Sequence, residues 1–138
     1  MPPPQMSILN APEREACIAR RERTNTPLQA LLLMNEPEFL KAQSHVAREV
    51  ITKKNFDDKQ KLNYVYEKLT SKQLNKEQLG TLESLIIQLR EHYLKNADDT
   101  KELANLLGAE QGLDQVELAS WTLLVNSIYN LDIMKTRE

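Results

Sequence analysis

At five expected helix starts, a Thr, Asn or Asp stands three positions ahead of a Glu or Gln, just before an apolar-periodic run. The pairs are Thr26/Gln29, Asn35/Glu38, Asn75/Gln78, Asp99/Glu102 and Asp114/Glu117. This is the spacing of a capping box, in which the two side chains satisfy backbone donors that a helix start leaves unpaired. Three of the pairs are bracketed by apolar residues at staple positions: Met34 with Phe39, Leu74 with Leu79, and Leu113 with Leu118. A chain that repeats this signal is committed to helices. With only three Gly and six Pro it also lacks the tight turns an all-β fold needs.

The expected fold is therefore all-α, an irregular bundle of about five to six helices behind an extended N-terminal segment. Residues 1–25 are Pro-containing and aperiodic, as expected of a boundary within a larger protein, and 26–138 are expected to form a single helical domain. A short helix is expected from Pro27 to Met34, broken near Asn35 because Pro37 cannot donate to Leu33 and disfavours a helical Glu36. Further helices are expected over Pro37 to Thr52, Asp58 to Thr70, Lys76 to Leu94, Thr100 to Leu107 and Gln115 to Leu131. Gly108 is placed to supply a left-handed helix end. The last helix is apolar around much of its circumference, which predicts the most buried position.

Bulk properties narrow the functional classes. A formal net charge of −2 offers no global attraction for nucleic acid or anionic membrane, and no nucleic-acid partner is expected. No apolar run reaches the roughly 18–20 residues of a membrane-spanning helix, so no membrane insertion is expected. Cys17 is the only cysteine, and His45 and His92 lack a second ligand at metal spacing. No metal site, cofactor or catalytic set is expected in these residues.

Two groups of side chains remain as candidate sites. Arg20, Arg21 and Arg23, with Asn25, lie just before the Thr26 cap. Guanidinium groups beside a helix N-terminus suit a carboxylate, sulfate or phosphate, or a docking surface. Counting Arg14 with the cluster, the interleaved Glu13, Glu15 and Glu22 offer the plainer alternative of local ion pairs, or of pairs with acids elsewhere in a larger protein. Asn126 and Asn130, one helical turn apart on the apolar last helix, either line a polar pocket or hydrogen-bond to backbone inside the core.

The run ARRERTNTPLQALLLMNEPEFLKAQSHVARE, which contains the Arg cluster and the first cap, resembles a known family. It is similar to the C-terminal domain of unknown function (fifteen-fifty-three) of planctomycete-type multidomain proteins with a cytochrome c segment. The resemblance is carried by Arg20 to Leu31 and by Leu33 to Phe39. The closing run WTLLVNSIYNLDIMKTRE resembles that family's last helix, whereas Lys53 to Gln111 matches only in helical pattern. The resemblance implies a C-terminal part of an exported, extracytoplasmic protein, with haem carried upstream and none here, since Cys-x-x-Cys-His is absent. The family implies no established activity.

The leading expectation is a non-catalytic interaction domain that docks on upstream domains of its own chain or on a protein partner. The alternatives are an accessory part of an oxidoreductase or polysaccharide-related active site formed with upstream domains, and anion or glycan binding.

Overall fold

A computed structural model describes Ile8, residues 26–109 and residues 112–135. Among these residues it is all-helical: α1 (Pro27–Asn35), α2 (Pro37–Thr52), α3 (Asp58–Thr70), α4 (Lys76–Lys95), α5 (Ala97–Leu106), α6 (Gln115–Tyr129) and the short α7 (Asp132–Lys135). The extended segment expected over residues 1–25 lies, apart from Ile8, outside the described residues.

Helix α6 is the axis of the bundle and packs against every other described helix. Leu118, Trp121, Leu124, Val125 and Ile128 are fully enclosed. They meet Ala47 and Val50 of α2, Leu62 and Val65 of α3, and Leu82 and Ile86 of α4 in one hydrophobic core. The expected central position of the last helix is observed. Leu74, Leu79, Leu113 and Leu118 from two of the staples all join this core.

The caps divide instructively. The Thr26/Gln29 and Asn75/Gln78 boxes form in both directions, with Thr26 N–H donating to Gln29 Oε1 at 3.1 Å and Gln78 N–H donating to Asn75 Oδ1 at 2.7 Å. A further reciprocal box, Asp57/Gln60, starts α3 and went unrecognised in the sequence because it sits inside a charged connection.

Asn35/Glu38 is not a box. Pro37 forces its predecessor out of the helical region, so the break falls at Glu36 (φ −70°, ψ 122°), which ends α1 and begins α2. Asn35 completes α1 instead, its Nδ2 donating to Leu31 O at 3.0 Å. With the cap at Glu36, Met34 and Phe39 no longer occupy the staple positions.

Asp99/Glu102 is not a box either, since α5 starts three residues earlier than expected, directly after Asn96. Thr100 is tolerated inside that helix because its hydroxyl donates to Tyr93 O and Asn96 O, at 2.7 and 2.9 Å, and ties α5 back to the end of α4.

Asp114 does cap α6, accepting from Val116 N and Glu117 N, but Glu117 does not reach back. Gly108 takes the expected left-handed conformation, φ 64°, after α5. There Arg48 Nη2 donates to Leu107 O and Gly108 O, each at 2.9 Å, and closes the helix end onto α2.

Candidate functional site

Three places hold polar or apolar groups that the fold does not use up, or uses in an unusual way. The first is α1. Its sequence, PLQALLLMN, is dominated by apolar residues, yet Leu28, Leu31 and Met34 are 56, 55 and 47% exposed. The buried residue of the helix is Gln29, which is held inside by its own hydrogen bonds: Nε2 donates to Ile8 O at 2.9 Å and Oε1 accepts from Thr26. An apolar helix normally turns its leucines toward a core. This one turns two of its four leucines outward.

The second place is a groove of about 700 Å³ between the C-terminal end of α1, α2, the α4–α5 elbow and α6. Leu40, Leu103 and Leu123 form its apolar walls, and the half-exposed Met34 and the exposed Leu106 its lips. Asp99 and Glu102, freed from the capping role expected of them, line it as carboxylates, and its lining includes no Lys or Arg. Tyr93 also lines the groove and is 6% exposed, but its hydroxyl has no hydrogen-bond partner among the described residues. Burial, followed by the negative charge of Asp99, raises the Tyr93 phenol above its ordinary value, so it remains protonated.

His92 completes this wall. Asn96 Nδ2 lies 3.2 Å from His92 Nδ1. The other ring nitrogen, Nε2, faces Asp99 Oδ2 at 3.6 Å. Ser127, the hydroxyl beside them, is spent on Leu123 O at 2.9 Å within α6.

The third is a polar cluster between α3, α4 and α6. Arg90 forks onto two carboxylates at once. Its Nη1 and Nη2 donate to Asp58, and its Nε and Nη2 donate to Glu117, at 2.6 and 2.9 Å. The enclosed Trp121 donates Nε1–H to Glu117 Oε2 at 3.0 Å. Arg90 holds the Asp58 carboxyl below its ordinary value, and the two carboxylates raise the guanidinium. Every group in this cluster is answered by another, so it reads as a clamp across three helices. Sequence reasoning missed it because the three charges lie 27 and 32 positions apart.

Arg20, Arg21, Arg23 and Asn25 lie outside the described residues. Asn126 and Asn130 are brought together. Asn126, 5% exposed, lines the groove and donates Nδ2–H to Met34 O at 3.1 Å, closing the end of α1. Asn130 Nδ2 donates to Asn126 O and Oδ1, at 3.0 and 3.1 Å. Among the described residues no three His, Cys, Asp or Glu side chains group as a metal site. No described helix is long and apolar enough to cross a membrane.

The family pattern of PSD1, proteins of unknown function (DUF1553), matches residues 1–86. The chain belongs to this family. The PSD1 match takes in the Arg cluster, α1, α2, α3 and the first half of α4, so the exposed leucines of α1 lie within it. The closing run Trp121 to Glu138 and the α5 side of the groove lie beyond the matched residues. No curated protein matches the chain. No solved structure matches it.

Proposed function

We propose that this chain is a non-catalytic helical interaction module that docks through α1 onto upstream domains of a larger protein or onto a protein partner. The observation that carries this reading is the outward placement of Leu28, Leu31 and Met34 on one of the most apolar helices of the chain. Contiguous exposed leucines cost free energy in water and are removed from it when a partner covers them, at about 25 cal/mol per Å² of apolar surface. The Arg20–Asn25 run, which directly precedes Thr26 in the sequence, would contribute charged groups to such docking, where charge sets orientation more than affinity.

The resemblance of Arg20 to Phe39 supports the wider setting: an exported protein whose upstream cytochrome c segment carries the haem, with none bound here. In that setting the module serves as a fixed support for its neighbours.

The test compares the longer protein with this chain. Leu28→Ser with Leu31→Ser, and separately Arg21→Ala with Arg23→Ala, are introduced into both. Domain association is read by limited proteolysis and by titrating upstream domains with this chain. Association is expected to weaken about tenfold or more with the leucine pair, the scale of a lost hot spot. Unchanged association with unchanged helical content would sink the docking reading.

A further inference from the structure

The groove behind α1 has its own ligand chemistry and shares only Met34 with the outer face of that helix. The geometry points to a binding site for a peptide segment of a partner protein that presents an Arg or Lys side chain beside a Leu-like one. Three observations converge on that occupant.

The first is charge. Asp99 and Glu102 are the carboxylates of the lining, and no Lys or Arg of the groove answers them. Asp99 has His92 at 3.6 Å as its nearest ion-pair partner, beyond ordinary hydrogen-bond length.

The second is the Tyr93 hydroxyl. The ring is more than nine-tenths buried, wedged edge-on against His92 with centroids 5.1 Å apart, yet the hydroxyl has no protein partner among the described residues. The hydroxyl oxygen is not sealed in but reaches solvent, and Tyr93 and Asp99 both line the groove, so an ammonium or guanidinium donor that enters it meets both oxygens.

The third is shape. Met34 and Leu106 are exposed lips above walls of Leu40, Leu103 and Leu123. The methylene stem of a Lys or Arg lies along such a surface while its head reaches the acids. A volume of about 700 Å³ exceeds what one cation fills, and a neighbouring apolar side chain occupies the remainder. A peptide supplies both groups at fixed spacing. A free polyamine supplies only the first.

The probe is a fluorescein-labelled hexapeptide of alternating leucine and arginine, titrated into the full chain by fluorescence anisotropy. Its counterpart with Glu for Arg, and spermidine as a competitor, run alongside. The basic peptide is expected to bind with an affinity that falls as salt rises, and the acidic one to show no saturable binding. Asp99→Asn with Glu102→Gln is expected to weaken binding about five- to tenfold, the scale of two partly exposed charge contacts. Both carboxylates are exposed, so the variant's circular dichroism and melting should match the parent. Tyr93→Phe keeps the ring and removes the hydroxyl, with an expected loss of about threefold to tenfold. Binding that ignores the carboxylate pair, equal binding of the acidic peptide, or no binding at all would each overturn the proposal. So would full displacement by micromolar spermidine, which would make the occupant a small amine. A dimer in sedimentation that the carboxylate variant dissolves would make it a second copy of the chain. Leu28→Ser with Leu31→Ser leaves the groove intact, so failure here and failure of α1 docking are separable.

Discussion

Helices α1 and α6 are both rich in apolar residues, and the fold treats them oppositely. Helix α6 is enclosed on nearly all sides, with Leu118, Trp121, Leu124, Val125 and Ile128 at full burial. Helix α1 leaves Leu28, Leu31 and Met34 in solvent and buries a glutamine. Composition does not separate them; position does. Helix α6 runs between the other helices, while α1, nine residues long and cut off at Pro37, lies against α2 and α6 from one side. Apolar patterning therefore states that a helix wants a cover, and the fold states whether the cover comes from within. For α6 it does. For α1, Leu28, Leu31 and Met34 stay uncovered.

The largest test of this contrast sets Trp121→Ala against Leu31→Ser in the isolated chain. The first empties an enclosed indole site and removes the donor to Glu117, and should cost about 3–5 kcal/mol in urea unfolding. The second should stay within about 0.5 kcal/mol, as surface changes do. Comparable losses would mean that α1 is already covered and that the two helices do not differ.

The Arg90 clamp sharpens the α6 side. Arg90→Met should cost about 2–3 kcal/mol. That is below the value for a fully buried pair, because the Arg90 side chain keeps 24% of its exposure. It leaves Glu117 beside Trp121 without its countercharge.

The same clamp gives stability a pH dependence of defined sign. Asp58 has its folded value lowered below the ordinary 3.8 by hydrogen bonding to Arg90. Its contribution is complete above about pH 4 and is lost as pH falls through the lowered value, when the carboxyl takes up a proton. Thermal melts between pH 5 and 2 should show a shallower acid decline for Asp58→Asn than for the parent. The effect is modest because the side chain is 42% exposed.

The smallest expected effect sharpens the α1 side. Asn126→Ala removes the donor that closes α1 at Met34 O and the acceptor for Asn130. It should cost about 1 kcal/mol and raise amide exchange in α1 selectively. Exchange that rises equally in α6 would show that the two helices open together.

Much of the fold was legible because its signals are local. The Thr26, Asn75 and Asp114 starts, the Pro37 break and the Gly108 end each depend on residues within one turn of each other. The misread starts failed for a similar reason. At Asn35 a pre-proline restriction outranked the box, and at Asp99 the Thr100 hydroxyl, bonded back to Tyr93 O, allowed α5 to begin sooner. That second error hid the groove, because it assigned Asp99 and Glu102 to backbone work.

The amino-acid sequence by itself determined the class of fold, the burial of α6 and the membership of the PSD1 family, since periodicity, capping and motif are properties of neighbouring residues. Only the tertiary structure decided that Arg90 joins Asp58 to Glu117, that Asn126 closes α1, and that Leu40 and Leu123 line one groove with Asp99. Those pairings join residues of different helices, and their distance along the chain carries no sign of their distance in space.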